Sequence, residues 1–343
     1  MTSRHTRSKK STIVRSFRRA AVTGTLRVVF RTLEHLAPEA GGQLALRLWC
    51  TPPRRRATAP TPPAGPGGAA TFTGPYDGAA FTVAVDGGTV HGRAWGSGPL
   101  VYLAHGWGGT AGQLHGFVPP LVAAGYRVVT WDALSHGRSG PGALGPHRAT
   151  LSEFADVLTA VVRKHGPAHA VIAHSLGASA TGLAVLDGLP VNRLVMIAPL
   201  ADPLPYIGAF RRALGIGPVV GDRLVTMMES LVGRSIADFD LGTRAAARPA
   251  GELPPLLVLQ DRNDREVDPA DGATMATAWP GRLHRTTGLG HNRILADPEV
   301  VRRAVDFVRE TGTDAEPRRP ALAEEMPPVS RAGGVMAGRP AMG

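Results

Sequence analysis

Between residues ~78 and 312, short β-branched apolar runs alternate with longer stretches of helical periodicity, and few folds accept that alternation. The runs are Phe81–Val85, Thr89–Ala94, Leu100–Ala104, Arg127–Trp131, Ala170–Ala173, Leu194–Ile197 and Leu256–Leu259, with a short last one near Leu283–Thr286. Helices are predicted at Ala111–Ala124, Leu151–Lys164, Leu176–Leu186, Pro269–Ala278 and Pro298–Glu310. The first two runs keep a period of two, and Asp86-Gly87-Gly88 between them suits a tight hairpin turn. The later runs are apolar throughout, as parallel strands covered on both faces must be. The expected fold is α/β, a doubly wound and mostly parallel sheet of about eight strands.

Residues ~200–253 break this rhythm. They separate two core strands and hold helix-like pieces near Pro205–Leu214 and Asp222–Val232, with Met227, Met228 and Leu231 as an apolar face. An insertion there would sit over the carboxyl ends of the strands, where ligands bind in such sheets. We read it as a small helical cap on a domain spanning 78–312.

The charge is concentrated outside that domain. The chain of 343 residues carries a formal +11, and residues 1–56 hold all of it, with thirteen Lys/Arg against Glu34 and Glu39. From residue 57 onward, 25 basic and 25 acidic side chains cancel. A nucleic-acid partner is therefore not expected. Residues 1–51 form a basic extension, with Val14, Phe17, Ala21, Val28, Leu33 and Leu36 at near-helical spacing and arginines between them. Two readings of residues 1–36 follow: a partly helical tail, solvated or docked on its own domain, or a peripheral contact with anionic membrane. The Pro/Gly-rich stretch 52–77 reads as a linker and 313–343 as a flexible tail. Cys50 is the single cysteine, which excludes a disulfide scaffold and a cysteine metal cluster. Neither a secretory signal nor a transmembrane helix is predicted. The expected location is cytoplasmic, with peripheral contact at the inner membrane face as its variant. The sequence carries no sign of oligomeric state.

Four segments carry chemistry. The run Ala170–Ala173 leads into His174-Ser175-Leu176-Gly177-Ala178 and then a helix, which places Ser175 on a sharp strand-to-helix turn. His105-Gly106-Trp107-Gly108-Gly109 follows another strand, and its glycines free backbone amides to point inward. The N–H groups of Trp107 and Leu176 are the expected oxyanion donors. His105 is expected to orient its loop rather than to move protons, and His174 to face a wall of the site. After Leu256–Leu259 a loop carries four acids, of which Asp264 is preferred as the partner of a histidine, Asp261 comes next, and Glu266 and Asp268 follow. That histidine is His291, flanked by Gly290 at a loop tip before the last helix.

These segments, with Asp132-Ala133-Leu134-Ser135-His136-Gly137-Arg138-Ser139, resemble the α/β-hydrolase superfamily, in particular its lidded serine esterases. Ala173 stands where the G-x-S-x-G elbow has its first glycine, and Ser135 where glycine is common in D-x-x-G-x-G-x-S. Asp132 belongs to a stretch that is structural in the family. The resemblance implies a Ser175–His291–Asp264 triad that cleaves a carboxylic ester or thioester through an acyl-enzyme, with neither cofactor nor metal. The implied partner is a small-molecule acyl substrate with a lean toward lipophilic ones. An acyltransferase using the same triad and a non-catalytic binding module are the alternatives.

Overall fold

A computed structural model describes residues 23–52, 77–249, 251–279 and 281–310. Eight strands lie among the described residues: β1 (Ala79–Val85), β2 (Gly88–Trp95), β3 (Leu100–Ala104), β4 (Arg127–Trp131), β5 (Ala168–His174), β6 (Leu194–Ile197), β7 (Leu256–Asp261) and β8 (Gly281–Thr286). They form one sheet in the order β1-β2-β4-β3-β5-β6-β7-β8. β2 pairs antiparallel with both β1 and β4, and every later pair is parallel. Asp86 and Gly87 close the hairpin, both at positive φ (44° and 79°), the conformation a two-residue turn demands.

The helices are α1 (23–36), α2 (Pro38–Trp49), α3 (Val118–Ala123), α4 (Leu151–His165), α5 (Leu176–Leu186), α6 (Leu204–Leu214), α7 (Pro218–Val232), α8 (Leu241–Ala246), α9 (Pro269–Ala278), α10 (Gly290–Arg293) and α11 (Pro298–Arg309). Adjacent strand residues serve opposite layers. Val101, Leu103 and Ile172 join a core with α3 and α11, while Tyr102, Val171 and Met196 join one with α4, α5, α8 and α9. Both faces of the central strands are covered, so β3, β5 and β6 are apolar at nearly every position.

Some boundaries differ from expectation. Ala111–Ala124 is a 3₁₀ turn over Ala111–Phe117 followed by α3, because Pro119 and Pro120 lack the N–H groups that would bond an α-helix back to residues 115 and 116. Between β6 and β7 lie α6, α7, the 3₁₀ turn Ile236–Phe239 and α8, the last two unforeseen. Asp240 caps α8 by accepting from the Thr243 amide at 3.0 Å.

Residues 1–22, 53–76 and 311–343 fall outside the described set, so most of the linker, the C-terminal tail and the front of the basic extension do too. Residues 23–49 are two helices seated on the cap. Leu26, Phe30 and Leu33 keep helical spacing, and Phe30 is fully buried against Ile207, Val220 and Leu224. Val28 and Leu36, expected on the apolar face, are exposed. In α2, Gly41 and Gly42 let the backbone lie close to Val220 and Arg223 of α7. Among the described residues no helix is long and apolar enough to cross a membrane.

The contact is polar as well as apolar. The Glu34 carboxylate accepts from the Val219 and Val220 amides at 2.7 and 3.1 Å, capping an α7 N-terminus that has no cap of its own. Arg27 Nε donates to the Ala213 carbonyl at 3.0 Å, in the last turn of α6. Each charge thus meets the helix end of opposite partial charge. Glu34→Gln should lower stability by about 1 kcal/mol in a urea titration, the usual worth of a helix cap.

Asp156 on α4 is raised from 3.8 to about 6, chiefly by burial and then by the Asp86 carboxylate, with Arg234 opposing. The folded state therefore binds this proton more tightly than the unfolded one. Stability falls as pH rises between about 4 and 6, and the loss is complete above that window. Asp156→Asn should stabilise the protein by about 1 kcal/mol at pH ~7.5, a value discounted for partial exposure, and by nothing below pH ~4. Paired denaturation curves at the two pH values check it.

Candidate active site

β3 and β5 are neighbours at the point where the strand order reverses, and their carboxyl ends open a crevice in which the chemistry-bearing loops meet. Ser175 links β5 to α5 at φ 54° and ψ −126°, a conformation that costs a residue with a Cβ on the order of 1–3 kcal/mol. Neighbouring backbone holds it there. The Ser175 amide donates to the Ile197 carbonyl at 2.8 Å, and its carbonyl accepts from the Ala178 amide at 2.9 Å. The turn tolerates no bulk around it: a side chain at Gly177 would run into the His105 carbonyl, and one at Gly106 would come within 2.9 Å of Ser175 Cβ. Ala173, the departure from the elbow pattern, is fully buried in β5.

Ser175, Asp264 and His291 come together here. Ser175 Oγ lies 2.9 Å from His291 Nε2, and His291 Nδ1 lies 2.7 Å from Asp264 Oδ2. All three residues are buried. The other Asp264 oxygen accepts from the Glu266 and Val267 amides at 2.8 and 3.0 Å. Burial pushes the Asp264 carboxyl up. The hydrogen bond from His291 and these two amides outweigh that, leaving the carboxyl below the usual carboxylate range. It stays ionised and can hold Nδ1–H. That leaves Nε2 as the acceptor for the serine hydroxyl, an assignment made from the partners.

The competing acids are engaged elsewhere. Asp261 accepts from Asn263, Leu289 and the Thr286 hydroxyl, and so braces the loops after β7 and β8. Glu266 accepts from Asn292 Nδ2 at 2.8 Å, and Asp268 caps α9 through the Ala270 amide. His174 donates from Nε2 to the His291 carbonyl at 2.9 Å, so it anchors the loop that carries His291.

Two histidines tie the glycine loop after β3 to the loop after β4. His105 Nε2 accepts from the Ala133 amide at 2.9 Å and Nδ1–H donates to the Gly106 carbonyl at 2.8 Å. His136 Nε2 accepts from the Gly108 amide at 3.1 Å, with Nδ1–H on the Leu134 carbonyl at 2.9 Å. Both rings must be neutral to accept an amide. Burial lowers the His105 pKa, and burial followed by the nearby His105 pulls His136 down to about 4. Asp132 accepts from the Ala111 and Arg138 amides, which folds the same loop. Ser135 adopts φ 62°, the reason glycine suits that position. In the loop so held, the Trp107 amide donates to no protein acceptor among the described residues. Leu176 opens α5, so its amide is one of the unpartnered donors of a helix N-terminus.

Trp107, His174, Ser175, Leu176 and His291 line part of a cavity of about 480 Å³. More of its wall comes from the cap, with Phe210, Met228 and Val232 among others, from Ala149–Ser152 at the start of α4, and from Leu48, Trp49, Cys50 and Thr51 at the end of α2. Tyr206 clasps the cap to α9, donating to Asp271 Oδ2 at 2.6 Å and accepting from the Asp268 amide at 2.9 Å. The lining by α2 is absent from the sequence reading. Pro38-Glu39 at the first turn of α2, a helix-start signal, could have located it. Among the described residues no group of three His, Cys, Asp or Glu is disposed to hold a metal.

Comparison with known proteins gives the fold a family. An uncharacterized hydrolase of Bacillus subtilis, YraK, is 43% identical over 58 residues, which cover 17% of this chain and 21% of that protein. The matched stretch thus spans about a fifth of the relative's length. Among solved structures, a predicted CIB-like hydrolase from Thermoplasma acidophilum is similar at TM-score 0.50 and 20% identity, over 67% of this chain and 97% of that one. A bromoperoxidase from Bacillus anthracis is similar at TM-score 0.50 and 16% identity, over 67% and 99%. Likeness at that identity speaks for the fold alone. The sequence model of the Alpha/beta hydrolase family matches residues 90–304, well over half the chain, and the chain therefore belongs to the alpha/beta hydrolase family.

Proposed function

We propose that this protein is a serine hydrolase that cleaves a carboxylic ester or thioester through an acyl-enzyme. The observation that carries the reading is the unbroken chain of hydrogen bonds from Ser175 Oγ through the His291 ring to Asp264. Ser175 and His291 line a largely apolar cavity of about 480 Å³, within the range typical of small-molecule sites.

In this reading His291 Nε2 takes the hydroxyl proton as Ser175 Oγ forms a bond to the substrate carbonyl carbon. The carbonyl oxygen becomes an oxyanion and is stabilised by the Trp107 and Leu176 amides, which have no other acceptor among the described residues to give up. Collapse breaks the bond to the leaving alkoxide or thiolate, which leaves with the proton from His291. Water then repeats the sequence on the acyl-enzyme, again with His291 as base. Asp264 keeps the imidazole in the productive tautomer and offsets its transient positive charge. His105, His136 and His174 act on position only, holding the loops that carry Trp107 and His291.

A fluorophosphonate probe should label the wild-type protein and fail to label Ser175→Ala, with ester turnover falling roughly 10³-fold or more in that variant. Labelling of a correctly folded Ser175→Ala protein would sink the assignment. Asp264→Asn keeps the shape but can present an N–H to the ring. It should cost about 10³–10⁴ in kcat and leave the Michaelis constant nearly unchanged, as steady-state kinetics would register.

A further inference from the structure

The family match begins at residue 90, yet part of the cavity wall is built by residues 48–51. That wall is fixed at both ends. Glu34 and Arg27 bind α1 to the facing ends of α7 and α6, and the Cys50 carbonyl accepts from the Ala149 amide at 3.0 Å, tying the end of α2 to the loop before α4. Between these anchors the Trp49 indole meets the Phe210 ring edge-on, with centroids 5.3 Å apart, and both line the cavity that holds Ser175.

The charged groups along the lining are already engaged. Glu229 accepts from the Ile236 amide at 2.9 Å and the Ser235 hydroxyl at 3.3 Å, Arg234 pairs with Asp187 at 2.6 Å, and Glu266 accepts from Asn292. Cys50 stays a neutral thiol, because burial pushes it up to about 12. An anionic group deep in a ligand would meet the Glu229 and Glu266 carboxylates and find Arg234 already paired, whereas an apolar chain loses only water.

We propose that the N-terminal helical pair, 23–49, is a structural wall of the substrate cavity, that Trp49 against Phe210 sets the length limit of the chain it accepts, and that this chain is an uncharged aliphatic acyl group. The assignment of the chain as acyl rests on the esterase reading above. The wall itself rests on packing.

The test separates the two. Straight-chain fatty-acid methyl esters of increasing length are bound to Ser175→Ala protein carrying Trp49, Trp49→Phe or Trp49→Ala, and affinities are measured by calorimetry. In parallel, hydrolysis of the matching p-nitrophenyl esters is followed with Ser175 intact. Smaller side chains should shift the preferred length upward in the order Trp, Phe, Ala, with the long-to-short affinity ratio rising about ten-fold or more in Trp49→Ala. If Trp49→Ala does not fold, Trp49→Phe carries the test with a smaller shift of the same sign. Identical length profiles for the folded variants would overturn the proposal, whatever the turnover. A Trp49-dependent binding profile without Ser175-dependent turnover would uphold the wall and overturn the esterase reading.

Discussion

Everything at the site depends on one strained residue. Ser175 sits at a positive φ that a residue with a Cβ avoids, and it stays there because the sheet and helix on either side leave it no other course. Its amide is committed to the Ile197 carbonyl on β6 and its carbonyl to the first turn of α5. The same crowding explains Gly106 and Gly177, each of which would meet backbone or the serine itself if it carried a side chain. The strain has a geometric consequence: it lifts Oγ off the strand end, toward the loop that brings His291 from beyond β8. Strain of this kind persists where surrounding contacts over-determine it, and the buried parallel strands β3, β5 and β6 are such a surrounding.

What the sequence made legible follows from how local each signal was. The elbow could be read because a buried strand, a small-residue turn and a helix follow one another within a few residues. The sheet could be read because parallel strands are apolar on both faces. The choice of Asp264 over Asp261 was harder. Asp261 ends β7 and Asp264 follows three residues later in the loop, and only the fold shows Asp261 turned toward Thr286 and Leu289 while Asp264 meets the ring. The face of α1 was misjudged for a related reason. Val28 and Phe30 are both apolar, and which of them is buried depends on where the cap's Ile207 and Val220 lie, a fact the segment itself does not carry. The short helix α8 and the wall formed by Leu48 and Trp49 escaped because their partners are distant in sequence.

The loops around the serine are held by neutral imidazoles rather than by ion pairs, which suits where they are. A buried charged pair would carry a heavy desolvation cost and place a strong field beside the reacting atoms. His105 and His136 instead use one ring nitrogen as acceptor and the other as donor, so each bridges two loops without net charge. The low pKa of His136 is the electrostatic signature of that duty, since protonation would leave the Gly108 amide facing a second donor. The charge paired with the His291 ring is Asp264, held by two backbone amides as well as by His291.

The cap and the N-terminal helices are best understood as one hydrophobic unit distinct from the sheet. Phe30, Ala45, Ile207, Ile216, Val220 and Leu224 form a cluster separate from the two that line the sheet. Without α1 and α2, the outward face of α6 and α7 would expose that apolar surface to water. The unit is attached to the rest of the domain by polar contacts, Tyr206 with Asp271 and Asp268, Cys50 with Ala149 and Arg234 with Asp187, and by Val232 and Ile236 packed against the sheet-side core. Ser175, Asp264 and His291 are carried by loops of the sheet, while much of the remaining cavity wall comes from the cap and the end of α2. The extension is what lets the cap keep its shape.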